Sequence, residues 1–336
     1  MMNDEKNNIN YNPFFSIIIL FWNNKKYLER CLNSLSNQSN KDFEIIFINN
    51  GSTEPIDENL FEIIDIGKNQ YLELSENIGF SGGNNYGAKF AKGEYLITLN
   101  LDAFPENDWL ETIYEAIQKY PNCFFASKLI MADTPSRLDG TGDVYHFTGL
   151  VWRKYHGVMQ NNIHIKENEV FSACAAAAVY PKDAFVKVGG FDDDYFAYLE
   201  DVDLGFRLRL LGYKCIFLPD AVVQHVGSGS TGKRSELSVY YGQRNLVWTF
   251  YKNMPRILFW VLLPAHIIAN IIMIVLSIYR GQGKITIKAK VDAIKGLPKF
   301  NSKRKQVQKD RLISLIELMK VFDWNPISPL TKLFRG

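Results

Sequence analysis

Three short apolar runs dominate the first hundred residues: Phe15 to Phe21 (FSIIILF), Phe43 to Ile48 (FEIIFI) and Tyr95 to Leu99 (YLITL). Each is too short for a buried helix and too apolar for a half-solvated strand. Each therefore reads as a strand covered on both faces, as in a parallel sheet. Parallel neighbours need long crossovers, and the intervening segments supply them. Lys25 to Ser36 carries Tyr27, Leu28, Cys31, Leu32 and Leu35 at helical spacing, and Gly82 to Lys92 and Asp108 to Tyr120 also read as helices. Tyr71 to Leu74 is a weaker strand. Helices at Pro181 to Val188 and Leu199 to Leu211, with strands at Cys215 to Leu218 and Ala221 to His225, complete the pattern. The expected fold class is α/β, a Rossmann-like, mostly parallel central sheet flanked by helices, over residues 14–235. Asp133 to Val170, rich in Gly, His and polar residues, reads as loops and short strands over a cleft.

The flanks differ in character. Residues 1–13 form a polar, Asn-rich tail without an apolar signal core, which argues against secretion. Residues 236–336 are expected to be helical and membrane-associated. Ile257 to Tyr279 (ILFWVLLPAHIIANIIMIVLSIY) contains no Asp, Glu, Lys or Arg, and a span needs about 20 mostly apolar residues. Pro264, His266 and Asn270 also suit a kinked or interfacial hairpin, and a buried core helix is the plain alternative. Lys284 to Arg311 then carries ten basic side chains opposed only by Asp292 and Asp310. Such a stretch suits an anionic lipid surface, or simply a solvated helix face.

Composition removes other classes. The formal net charge of the 336 residues is +2, without the basic bias of a nucleic-acid partner. Cys31, Cys123, Cys174 and Cys215 form no C-x-x-C pair, which argues against zinc and for free thiols in a reducing compartment.

Several short motifs could carry chemistry. Asn100-Leu101-Asp102 follows a strand, where ligands of open α/β sheets bind. Asp102 could ligate Mg²⁺ or Mn²⁺, or form an Asx turn. Asn77 to Asn85 (NIGFSGGNN) places glycines where a loop meets a helix, a place that can hold a diphosphate or simply cap the helix. Its spacing matches neither G-x-G-x-x-G nor a Walker loop. Glu200-Asp201-Val202-Asp203 opens a helix whose buried face is marked by Leu204, Leu208 and Leu211. Acidic residues there suit the helix dipole. The preceding Asp192 and aromatic Tyr195, Phe196 and Tyr198 suit a sugar face and general-base work. His225 ends a strand before a Gly/Ser loop, as a metal ligand or a satisfied core histidine.

In this order the motifs resemble glycosyltransferase family 2, which has the GT-A fold. The residues that carry the resemblance are Ser16 to Ile19 with Asn23, Ile48 to Ser52, Asn77 to Asn84, Asn100 to Asp102, Gly189 to Asp192, Glu200 to Leu204 and Gln224-His225. Asp139 to Asp143, Trp152-Arg153, Ala173 to Ala177 and Tyr241 to Asn245 are similar to its rhamnosyltransferase-like subgroup of bacterial polysaccharide assembly. The resemblance implies an inverting transfer of a sugar, rhamnose from dTDP-rhamnose for this subgroup, to a glycan or polyprenyl-linked hydroxyl at the cytoplasmic face of the bacterial membrane. It implies Asp201 as catalytic base with Glu200 beside it, and Asp102 with His225 as ligands of Mg²⁺ or Mn²⁺. It places Asn23, Asn49, Asn77, Gly82, Gly83, Asn84, Asn100 and Leu101 on the donor side, and Trp152, Asp192 and Tyr198 on the acceptor side. Many relatives have an aspartate where Asn49 stands, and Asn100 replaces the first carboxylate of the DxD pattern. Two rivals remain at this point: a nucleotidyltransferase, which would want basic residues between Asn49 and Pro55, and a non-catalytic nucleotide-sugar-binding scaffold.

Overall fold

The computed structural model describes residues 12–55, 69–227 and 235–329. The polar tail up to residue 11 and the Gly/Ser loop beyond Gly227 lie outside the described residues. The chain opens with β1 (Phe15–Phe21), α1 (Leu28–Ser36), β2 (Phe43–Asn50), β3 (Gln70–Leu74) and α2 (Gly79–Ala88). Next come β4 (Tyr95–Asn100), β5 (Ala103–Pro105), α3 (Trp109–Lys119), β6 (Cys123–Met131) and β7 (Thr134–Gly140). β8 (Asp143–His146), β9 (Val151–Arg153), β10 (Asn168–Val170), β11 (Ala177–Pro181) and α4 (Lys182–Lys187) form the middle. α5 (Glu200–Leu210), β12 (Lys214–His225), α6 (Glu236–Asn253), α7 (Arg256–Tyr279), α8 (Gly283–Lys309), α9 (Leu315–Lys320) and β13 (Phe322–Asp323) finish it.

The main sheet runs β10-β12-β6-β11-β4-β1-β2-β3. β3, β2, β1 and β4 are mutually parallel, and β12 is parallel to β6. β11 enters antiparallel between β4 and β6. β1 and β2 are buried almost throughout because helices cover both faces, as their apolar sequences require. The two predicted late strands are one, β12, with an irregularity between Leu218 and Val222. The cleft segment supplies β7, β10 and the strands β8 and β9, which form a small sheet with β13 of the C-terminal region.

Two expectations change. Every residue of α5 except Asp201 is buried, rather than one leucine face, and even Arg207 and Arg209 are enclosed. The C-terminal helices are the reason: α6 and α8 pack together and roof α5, with Trp248, Ala293 and Phe300 in one apolar cluster with Tyr195. The basic run of α8 is partly internal. Lys290 is buried and donates to the Gln243 carbonyl at 2.7 Å, while Lys299 and Lys303 pair with Asp194 and Asp192. α7, by contrast, is long and apolar enough to cross a membrane, by length and composition, and only 22% of its apolar window is buried. All four cysteines are buried and free.

Candidate active site

The site lies beyond the carboxyl ends of β1, β2 and β4, where parallel strands leave a crevice. β4 ends at Asn100, whose amide donates to the Ala176 carbonyl at 2.9 Å. Leu101 turns into the core, so its side chain packs rather than meeting a donor. Asp102 sits in the turn before β5, buried, with its carbonyl accepting from the Val226 amide at 3.0 Å. β5 pairs with β12 so that Ala103 faces His225. That register brings His225 Nε2 to 3.5 Å from Asp102 Oδ1.

The other ring nitrogen, Nδ1, lies 2.8 Å from Asp139 Oδ2. Asp139, near the end of β7, also pairs with Arg153 and with His156, whose Nδ1 lies 3.1 Å from Oδ1. Burial lowers the His225 pKa, but the Asp102 and Asp139 carboxylates outweigh it and raise the pKa to about 9. Burial likewise raises Asp139, yet Arg153, His156 and His225 hold it far below the usual carboxylate range. A histidine oriented through one nitrogen by a carboxylate, with the other nitrogen facing a second carboxylate, is the arrangement metal-ligating histidines use. Asp102 and His225 therefore fit a divalent cation. Among the described residues no group of three His, Cys, Asp or Glu side chains forms a complete cage. Oxygens of a phosphorylated ligand and water would fill the remaining positions, as hard cations allow.

Asp201 occupies the first turn of α5. Its Oδ2 accepts from the Ala175 amide at 3.0 Å and its Oδ1 from the Val202 amide at 2.8 Å. Burial raises its pKa, and these two amides and Arg153 pull it back. Asp201 remains partly exposed, whereas Glu200 is 6% exposed and its Oε2 has no hydrogen-bond partner. Burial and the Asp201 charge push the Glu200 carboxyl well above its ordinary value. Glu200 is thus a buried neighbour whose neutral form is favoured, and Asp201 is the more exposed of the two carboxylates. Asp143 is a third member: Ser172 Oγ donates to it at 3.0 Å, and burial with the Asp201 charge pushes it up to about 8. Asp139, Asp143 and Arg153 had entered only through subgroup motifs, with no role. Their partners come from distant strands, so no local spacing announces them.

The other donor-side asparagines and glycines lie on β2, on α2 and in the loops after β1 and β3. α2 begins at Gly79, so Gly82 and Gly83 lie inside the helix rather than at its mouth. A Cβ on Gly83 would come within 2.9 Å of Leu20, so this glycine serves close packing on β1. The Gly79 and Ser81 amides already donate to Asn77 Oδ1 (2.8 Å) and the Phe196 carbonyl (3.2 Å). Asn84 is buried and donates back to the Phe80 carbonyl at 2.9 Å. Asn77 and Asn50 brace the turn, with Asn50 Nδ2 3.1 Å from Asn77 Oδ1. Asn23, at φ 47°, accepts from the amides of Thr53 and Glu54, and Asn49 Oδ1 accepts from Ser52. These asparagines shape the loop edge of the crevice.

On the acceptor side, Asp192 is buried. It is held by Lys252 (2.6 Å) and by Lys303, which keep it well below its ordinary pKa against the effect of burial. Tyr198 stands at φ 68° two residues before Glu200. Trp152, on β9, packs on a cluster of Leu150, Leu246 and Ala269 that joins the small sheet to α6 and α7.

The glycosyl transferase family 2 model matches residues 16–189, more than half of the chain. The chain belongs to glycosyl transferase family 2. It is 25% identical over 236 residues to the N-acetylglucosaminyl-diphospho-decaprenol L-rhamnosyltransferase of Mycobacterium tuberculosis, covering 62% of this chain and 74% of that one. It is 31% identical over 105 residues to glycosyltransferase GlyA of Streptococcus pneumoniae, covering 31% of this chain and 15% of GlyA's length. Among solved structures it superposes on the mannosyltransferase PcManGT of Pyrobaculum calidifontis, in complex with GDP-Man and Mn²⁺. That match has a TM-score of 0.53 at 15% identity and covers 89% of this chain and 84% of that chain. The fold of this family 2 enzyme is accordingly GT-A, and its activity is that of a nucleotide-sugar glycosyltransferase. The nucleotidyltransferase reading falls with that assignment.

Proposed function

We propose that this enzyme transfers a sugar with inversion from a nucleoside-diphosphate donor to a hydroxyl of a glycan or polyprenyl-linked acceptor. The observation that carries the reading is that Arg153 links two groups: the Asp102–His225 corner, fit for a cation and reached through Asp139, and the partly exposed Asp201. When bound, Mg²⁺ or Mn²⁺ on Asp102 and His225 would neutralise charge on the departing diphosphate. Asp201 takes the proton from the acceptor hydroxyl as that oxygen attacks the anomeric carbon opposite the leaving group. Configuration inverts in one displacement, and no enzyme nucleophile is required. Asp139 fixes the His225 ring, and Arg153 balances the charge shared by Asp139, Asp143 and Asp201.

The Mycobacterium relative is by its name an L-rhamnosyltransferase acting on N-acetylglucosaminyl-diphospho-decaprenol, which supports rhamnose, here from dTDP-rhamnose, as the sugar and a lipid-linked acceptor. The exposed apolar side chains of α7, among them Trp260, Ile268, Ile271 and Val275, support docking at the cytoplasmic face of a bacterial membrane. The test is a donor screen with full-length protein, Mn²⁺ and a polyprenyl-diphosphate-linked sugar, following nucleotide release from dTDP-, UDP- and GDP-sugars. The expected result is turnover with dTDP-rhamnose. Turnover confined to another donor overturns the rhamnosyl assignment, and no turnover with any donor overturns the enzymatic reading.

A further inference from the structure

The turn that leads into the catalytic helix is strained, and its restraint comes from the C-terminal region. Phe196, Tyr198 and Leu199 have φ of 64°, 68° and 64°, half of the positive-φ non-glycine residues among those described. Side chains with a Cβ rarely adopt this conformation, and it persists only where surroundings over-determine it. Leu199 is the residue before α5, and its carbonyl accepts from Asp203 at 2.9 Å. The direction of Asp201 therefore depends on how this turn is held.

One buried side chain does most of the holding. Asn245 of α6 is 0% exposed, and its Nδ2 donates to the carbonyls of Tyr195 (3.1 Å), Ala197 (3.0 Å) and Tyr198 (2.7 Å). Its Oδ1 accepts from Arg244 Nε at 2.9 Å. Arg244 in turn donates through Nη2 to the carbonyls of Asp194 (2.8 Å) and Tyr195 (3.0 Å), with its guanidinium 4.1 Å from the Trp248 ring centroid. Phe196 also stacks on Tyr241 of α6 at 5.1 Å, and on the far side its carbonyl takes the Ser81 amide of α2. The turn is thus pinned between α2, which borders the donor crevice, and α6, outside the family-matched residues 16–189.

We infer that Asn245, braced by Arg244, is a positioning residue that locks the 195–199 turn and so aims Asp201 at the acceptor hydroxyl. The C-terminal helices then form a working part of the active site as well as a membrane-facing surface. The inference rests on the reading of Asp201 as base. Misplacing a reacting group by about 1 Å can cost about 10²-fold in rate. Loosening the turn also weakens the Ala175 and Val202 amide bonds to Asp201, and loss of such bonds raises a carboxyl's pKa.

The experiment compares full-length wild type, Asn245→Ala, Arg244→Met and Asp201→Asn in one membrane preparation, with the donor that turns over. The readouts are kcat, donor KM, donor affinity by calorimetry and the acid limb of kcat. For Asn245→Ala, kcat should fall about 10²-fold with donor KM and affinity unchanged, and the acid limb should move to higher pH. Arg244→Met should show the same signature more weakly. Unchanged kcat and acid limb in Asn245→Ala, with Asp201→Asn inactive, overturns the positioning role alone. Near-normal turnover of Asp201→Asn overturns the base assignment on which it rests. If Asn245→Ala does not fold, Arg244→Met decides, and if neither folds the pair is structural and the inference is wrong.

Discussion

The His225 environment makes metal affinity depend on pH in a calculable way. Asp102 and Asp139 raise the His225 pKa to about 9 against the opposing effect of burial. At neutral pH the metal-free ring is therefore doubly protonated, and a cation can take Nε2 only by displacing that proton. Below pH 9, each unit of acidity should weaken affinity about tenfold, so raising the pH from 6.5 to 8.5 should strengthen it about 100-fold. Titrating full-length protein with Mn²⁺ alone, by calorimetry in two buffers of different ionisation enthalpy, measures both the affinity and the protons released. Close to one proton should be released per Mn²⁺ at pH 7. Asp139→Asn removes one of the two carboxylates that raise the pKa, so the same dependence should shift to lower pH. The sign for stability is opposite. A raised folded-state pKa stabilises the metal-free protein fully below the unfolded value of about 6.5 and loses that contribution as pH rises through about 9. Mn²⁺ affinity that is flat across this range, with no proton released, would refute His225 as a ligand.

Lys252→Met should destabilise strongly. It leaves Asp203, at 0% exposure, without the ammonium now 2.8 Å away, and frees one side of Asp192. Breaking a buried pair costs about 3–5 kcal/mol, about 4–7 °C in melting temperature for a chain of this size, and an unchanged melting curve would contradict the reading. Exchanging Trp260, Ile268, Ile271 and Val275 for serine in the full chain should move the protein from the membrane to the soluble fraction without unfolding it. Point changes are preferable to truncation because α8 covers α5 and α6, and equal partitioning would show that α7 is not the docking face.

The sheet was legible where strands are apolar on both faces, as in β1, β2 and β4. β11 was not, because Ala177–Pro181 continues an alanine-rich segment with little strand preference. Its burial comes from its place between β4 and β6. β6 also escaped notice, since the Ser-Lys step in CFFASKLIM interrupts its apolar run. The resemblance singles out Asp102 and His225, which the structure brings into contact, but Asp139 and Arg153 meet them only across strand pairing. α6 shows why the rest was hidden. Its buried face mixes Asn245, Thr249, Lys252 and Asn253 with Leu246, Trp248 and Phe250, and these polar side chains bond to the 192–203 segment some fifty positions earlier, which half-buried Arg244 also reaches. A buried stripe of that kind leaves no apolar period to detect. The lysines of α8 mislead for the same reason, since the partners of Lys299 and Lys303 lie more than 100 residues away.

The most direct measurement is turnover and donor binding of Asp201→Asn in the full-length enzyme. The substitution keeps the side chain's size and removes its ability to take a proton, while Asp102 and His225 stay in place. General-base loss typically costs about 10²–10⁴ in rate. The expected result is a kcat reduced by that factor with donor affinity by calorimetry unchanged. Near-normal turnover would place the base elsewhere, and loss of donor binding would make Asp201 a donor-site residue; either result contradicts Asp201 as the group that activates the acceptor.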